Sequence, residues 1–507
     1  MCKLCDAGRP QQHGRRDFLK ASTATAAAVG MGLFAARPGA AHGGDNHPPR
    51  DSGRHGRRYV IRGGHVMSMD PAVGDFVKAD VLVEGERIVA VRPDIHAHGA
   101  GEIDARGRIV MPGFVDTHHH LFETALRSFL ADGILVPDGT AEGTINYFEY
   151  ILGRFAPVYR PGDVYINELF GSLAQLDAGV TTTHDISQIH HSREHSDAAV
   201  KALFASGRRA VFGYFESAGA VSGNEYPQDA RRLRKQYFSS DDQLVTMIMG
   251  GEIYLGEETQ RQSWAIGREL GLQVAAHIVG TFGMRPGFDA LAAAGQFGPD
   301  NLFIHMTGMS DMAWEKVKEA GAAVSLAVPI EMNMRHGMPP ILKTLSLGIQ
   351  PSLSVDVECT LTADMFTQMR SAMALQRAFV NDMALAGIAD RPALLTTRDV
   401  LRFATMEGAR DLRLDRKIGS LTPGKEADII ILDAEAINVA PLNVVPGAVV
   451  SLMERSNVET VIVAGKVRKW KGELLDVNLR KLRAELEDSR DYLFQAADIP
   501  QDLFRPN

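Results

Sequence analysis

Val110–Leu121 reads VMPGFVDTHHHL, an apolar run that stops at Asp116, Thr117 and three consecutive histidines. In an extended strand, residues two apart share a face. His118 and His120 can therefore reach one metal ion while His119 points the other way. Adjacent His118 and His119 cannot converge from a strand. Three imidazoles at the end of an apolar strand make poor core material, because each ring carries two nitrogens that need partners when buried. A solvated histidine-rich turn would not require the Met-Pro-Gly-Phe-Val-Asp lead-in. Other apolar runs also end in one polar group: LQVAAHIVG at His277, NLFIHMTGMSD at His305 and PSLSVDVECTL at Asp356.

Pro112–His120 resembles the first-strand signature of the amidohydrolase superfamily, P-G-[FL]-[VI]-D-x-H-x-H, on the side of the cytosine deaminase and triazine hydrolase branch. The resemblance implies that His277 is the fifth-strand ligand, His305 the sixth-strand histidine and Asp356 the eighth-strand aspartate. The following Asp364-Met365-Phe366-x-x-Met369-Arg370 strengthens the last match. The implied ligand set is His118, His120, His277 and Asp356 around one divalent ion, Zn²⁺ by expectation with iron as the alternative. Such an ion lowers the pKa of a water and polarises the substrate. Asp356 would also carry the proton to the leaving group, and His305 would polarise the substrate. Binuclear members carry a bridging lysine or glutamate on a middle strand. Glu252 stands near such a place and is expected to be a water-exposed rim carboxylate, so a mononuclear site is expected.

One position departs from the branch. The glutamate usually found three residues after the fifth-strand histidine is Gly280 here. Glu331, in VPIEMNMRHGM with His336, is expected to face the pocket and is the candidate stand-in proton shuttle. His184 and Asp185 are candidates to line the same rim. His190, His191 and His195 are expected in a solvated loop and helix start. Phe122, Phe129, Tyr147, Phe148 and Tyr150 give the segment after the metal strand an aromatic content that suits an apolar substrate or a packed lid.

The elements that must position these groups follow from periodicity. Tyr59–Ile109 alternates in short strands, and Lys417–Asp433 and Val458–Leu474 supply their counterparts near the other chain end. The expected fold is α/β: a (β/α)8 TIM-like barrel with a small β-sandwich built from both chain ends. The expected boundaries are 1–41 for a signal, 42–57 for a linker, 58–108 with 415–475 for the sandwich, 109–414 for the barrel, and 476–507 for a terminal helix and tail.

At 507 residues the chain is long enough for such a pair of domains. Its net charge of -8 argues against nucleic acid as the main partner. No apolar run after residue 41 reaches membrane-spanning length. Arg15-Arg16 with Phe18-Leu19-Lys20 and the Ala-rich stretch to Ala36 match a twin-arginine export signal. That signal implies a periplasmic or extracellular destination. Cys2 and Cys5 would leave with it, so Cys359 alone remains and no intramolecular disulfide forms. The expected partners are a small-molecule substrate and the twin-arginine machinery, with no nucleic acid or membrane anchor and a homo-oligomer left open. The expected activity is metal-dependent hydrolysis of a non-peptide C–N bond in a cyclic amide, amidine or N-heterocycle. The alternatives are an amidase or deacylase of an N-acylated small molecule, and a non-catalytic small-molecule-binding barrel.

Overall fold

The computed structural model describes residues 47–219 and 224–504. The stretch read as an export signal, with Cys2, Cys5 and His42, lies outside them. Eight parallel strands follow one another in spatial order. They are Phe114–His119, Val180–Ser187, Arg209–Tyr214, Val245–Gly250, Val274–Val279, Asn301–Thr307, Ala323–Leu326 and Ser352–Leu353, here barrel strands 1 to 8. Strands 1, 2 and 3 are buried along their whole length. Continuous burial is what a parallel sheet with helices on its outer face and side chains inside demands.

The eighth strand is only two residues long, yet the ring closes beyond its end. His119 pairs with Asp356 in parallel register. Asp356 N donates to His118 O, and His120 N donates to Asp356 O, both at 2.9 Å. Asp116 adds a side-chain stitch, accepting from Val355 N at 3.0 Å through Oδ1. The seam of the barrel is thus made by the same residues that carry the candidate ligands.

The two chain ends pair into one nine-stranded mixed sheet. Ile429–Asp433 runs antiparallel to Arg108–Pro112, in the register Ile431↔Val110 and Ile429↔Pro112. Tyr59, Ile61, Val81 and Val83 from one end share a core with Ile429, Ile431 and Ile462 from the other. The Ala427-Asp428 step has a specific task. Asp428 Oδ2 accepts from the buried Arg209 Nε at 2.8 Å, which ties this sheet to the start of barrel strand 3. Gly113, where the sheet hands the chain to barrel strand 1, has no room for a side chain: a Cβ would lie 2.2 Å from Thr181.

Residues 49–57, within the segment read as a linker, form turns, and Ser52 Oγ accepts from Val467 N at 3.1 Å. The terminal helix, Leu479–Ala496, packs on the helix Pro161–Asp177 through Asn167 and Ser489, 3.2 Å apart. Its Phe494 ring meets Phe129 and Phe155 edge-on. That contact backs the short helical segment Phe148–Phe155. No helix among the described residues is long and apolar enough to cross a membrane.

Candidate active site

The barrel brings His118, His120, His277, His305 and Asp356 together at the C-terminal ends of its strands. His118 Nε2 lies 3.0 Å from His120 Nε2 and 3.1 Å from His277 Nε2. Asp356 Oδ1 lies 3.4 Å from His118 Nε2 and 3.6 Å from His120 Nε2, and Asp356 Oδ2 lies 3.5 Å from His305 Nε2. Two of these groups stand on left-handed backbone, His305 at φ 70° and Asp356 at φ 73°. Non-glycine residues held there cost about 1–3 kcal/mol each and persist only where the surroundings fix them. The seam hydrogen bonds fix Asp356.

The outer partners set the tautomers. His120 Nδ1 donates to Ile186 O at 3.2 Å, and His277 Nδ1 to Glu252 Oε1 at 2.5 Å. In the neutral form of both rings the Nε2 atoms are therefore lone-pair nitrogens, and both face His118 Nε2. Three converging ring nitrogens share at most one proton. Asp356 Oδ2 is buried and has no hydrogen-bond partner among the described residues. Burial, then the neighbouring imidazoles, pushes His118 and His120 well below the usual histidine range, so their rings are neutral. Burial also pushes Asp356 up to about 7. Neutral imidazoles with fixed lone pairs, beside a carboxylate short of a counter-charge, fit one divalent cation. The ligand atoms of His118, His277 and His305, and of His118, His120 and Asp356, form groups compact enough to hold an ion.

Glu252 corrects the sequence reading. It is fully buried rather than exposed on the rim. Both its oxygens accept from His277 N at 3.2 Å, and one also accepts from the ring. Burial alone would lower the His277 pKa, but Glu252 outweighs it and raises it. Glu252 is engaged with His277 and serves to aim that ring.

His190 and His191 are also buried rather than solvated. His190 bridges Ser187 O and Ser196 Oγ at 2.8 and 2.9 Å, and His191 reaches Ala156 O at 2.7 Å. They anchor the loop after barrel strand 2. His195, half-buried, reaches Tyr159 O at 3.0 Å. His184 hydrogen-bonds Thr117 O at 2.9 Å and lies outside the pocket lining. His119 is held by Asp116 and Gln175 at 3.1 and 2.6 Å, away from the ligand cluster.

Asp185 is buried beside Glu168, and burial raises Asp185 to about 7 and Glu168 well above the carboxylate range. The folded state holds protons that the unfolded chain releases near pH 4. The associated stability is fully present below that pH and is lost as pH rises through about 7. Thermal midpoints are expected to fall between about pH 4 and about pH 7, and Asp185→Asn to flatten the fall. Scanning calorimetry across that range checks it.

The pocket is lined by His120, His277, His305 and Asp356, with apolar walls that include Leu135, Tyr147, Phe148, Leu152, Tyr254 and Phe282. Of the aromatic residues after the metal strand, Tyr147 and Phe148 reach it. Phe122 packs on Tyr159, and Phe129 packs on Phe155. Gln188 and His336 are the remaining polar side chains among the described lining residues. Glu331 does not line the pocket. It belongs to the helix Val328–Asn333 and sits behind His305, with Oε1 3.1 Å from Nδ1 and 2.9 Å from Ala327 N.

Gly280 is closed as well as unreactive. A Cβ there would meet Thr307 O at 2.8 Å and Gly308 Cα at 3.1 Å. Barrel strand 6 fills the space in which an acidic side chain would start. Gly280→Ala is expected to destabilise the fold by about 1–3 kcal/mol, seen as a lower thermal midpoint.

Residues 109–468 match the amidohydrolase family. The 5'-deoxyadenosine deaminase of Methanosarcina mazei is 26% identical over 448 residues, 86% of this chain and 98% of the relative. The 5-methylthioadenosine/S-adenosylhomocysteine deaminase of Pyrococcus abyssi is 25% identical over 427 residues, 80% of this chain and 92% of the relative. An adenosine deaminase from Xanthomonas campestris with bound zinc superposes with a TM-score of 0.74 at 22% identity, covering 87% of this chain and all of its own. A variant of atrazine chlorohydrolase from Arthrobacter aurescens, complexed with zinc and atraton, gives 0.75 at 19%, covering 85% of this chain and all of its own. With the family match spanning most of the chain and the barrel and ligand cluster in place, the chain belongs to the amidohydrolase family, enzymes acting on carbon–nitrogen bonds other than peptide bonds.

Proposed function

We propose that the protein hydrolyses a C–N bond in a neutral nitrogen heterocycle, with the deaminating relatives as a chemical precedent. The observation that carries this reading is the convergence of three imidazole Nε2 atoms and Asp356 beside an aromatic pocket. His118, His120, His277 and Asp356 would hold the ion, zinc by the chemistry of the donor set. When bound, it would supply Lewis-acid polarisation and an activated water.

The chain's own residues do the rest. Asp356 is the only carboxylate among the described lining residues, so its Oδ2 both takes the proton from water and returns it to the leaving nitrogen. Burial pushes the Glu331 carboxyl well above the usual carboxylate range. Its Oε1 lies 3.1 Å from His305 Nδ1 and holds that ring with Nε2 toward the substrate, which His305 polarises. Glu331 thus positions His305. Glu331→Gln is expected to lower kcat about tenfold with KM little changed. Unchanged turnover would remove Glu331 from the account. The apolar walls exclude bulk water and accept a flat ring.

Ammonia or amine release from a panel of heterocycles, measured beside carboxylate release from N-acyl compounds, tests the reading. Carboxylate release alone would make the enzyme a deacylase. Export by the twin-arginine route rests on Arg15, Arg16 and the Ala-rich stretch. Retention of the precursor by Arg15→Lys with Arg16→Lys, against export of the native chain, tests it.

A further inference from the structure

A polar side chain in an apolar wall is informative through what holds it. Gln188 directly follows barrel strand 2, lines the pocket and is 2% exposed. Its Nε2 donates to Glu216 Oε1 at 2.8 Å. The Tyr254 hydroxyl donates to the same oxygen, and Tyr254 is a second pocket-lining residue. Glu216 follows barrel strand 3, which pairs with strand 2 through Ser187↔Tyr214. Two adjacent strand ends therefore hold the pair rigidly.

The partner fixes the amide. Glu216 Oε1 accepts, so the Gln188 end facing it is the NH2 group. The other end, Oε1, is then an acceptor. It is buried and has no partner among the described residues. A buried acceptor left bare in a pocket wall is unfavourable until something donates to it. None of the described lining residues is Lys or Arg. An anionic substituent would find no counter-charge on this wall.

We propose that Gln188 Oε1, held by Glu216 and Tyr254, selects substrates that present an N–H donor away from the scissile carbon. The substrate class is a neutral, flat heterocycle bearing a ring N–H or amino group and no anionic substituent. This rests on the hydrolase reading above and narrows it. Gln188 is a specificity residue, and Glu216 and Tyr254 are its positioning residues.

The test uses the zinc-loaded chain with cytosine, guanine and adenine, each beside a ring N-methyl counterpart. The native enzyme is expected to prefer an N–H form over its methylated partner by about 100-fold in kcat/KM. In Gln188→Met that preference is expected to fall below about threefold, chiefly through KM, because the site no longer leaves an acceptor bare. Tyr254→Phe, which removes one anchor, is expected to lose part of the preference, and it carries the test if Gln188→Met does not fold. Turnover with the preference intact in both variants overturns the inference and leaves the hydrolase reading standing. Turnover of none of these compounds by the native enzyme counts against the hydrolase reading itself.

Discussion

Asp356→Asn is expected to lower kcat/KM by on the order of 10⁴-fold, the upper end for removing an acid–base group. The fold should survive the change. The seam hydrogen bonds at this position are main-chain, between Asp356 and both His118 and His120, and asparagine keeps them. Asparagine also tolerates the left-handed backbone that Asp356 adopts at φ 73°. The substitution removes the one carboxylate among the described lining residues, and Gly280 offers no space for another. Steady-state kinetics with a matched thermal midpoint checks it. Asp356→Asn retaining a tenth of native turnover would show that some other group moves the proton.

Glu252→Gln is expected to weaken metal affinity by about 10–100-fold, the usual effect of losing the partner that aims a ligand histidine. Glu252 is the only described hydrogen-bond partner of His277 Nδ1, at 2.5 Å, and it also accepts from His277 N. With the charge removed, the ring is held less firmly and its lone pair is less basic. Competition with a chromogenic chelator measures the change. Activity should recover at saturating metal, which separates an aiming role from a direct catalytic one. Unchanged affinity would mean that backbone packing alone positions His277.

The convergence of the candidate site residues was legible because each interrupts an apolar run, and burying a lone histidine or aspartate at a strand end needs a reason. His118, His120, His277, His305 and Asp356 all stand where the apolar patterning places them. The pairing of the chain ends was legible in the alternation of Tyr59–Ile109 and the Ile429–Asp433 run. Glu252 was not, because a carboxylate after an apolar strand reads the same whether it turns outward or inward. What turns it inward is His277, 25 residues later. His190 and His191 look like a polar loop because their acceptors are main-chain carbonyls, to which any side chain could be matched. Glu331 pointed to the right loop, but its direction depends on a short helix whose Ala327 N and His305 together claim the carboxyl. The closing of the barrel through Asp356 itself depends on backbone register, which side-chain patterning does not encode.

The proposed chemistry depends on one divalent ion held by groups from the ends of barrel strands 1, 5 and 8. Metal content per chain, measured on purified native protein and on His118→Ala with the fold verified by its thermal midpoint, tests it most directly. Close to one equivalent of zinc is expected in the native protein, with loss of both the ion and turnover in His118→Ala. A folded His118→Ala variant that keeps the ion, or a native protein that turns over substrate after complete metal removal, would contradict it.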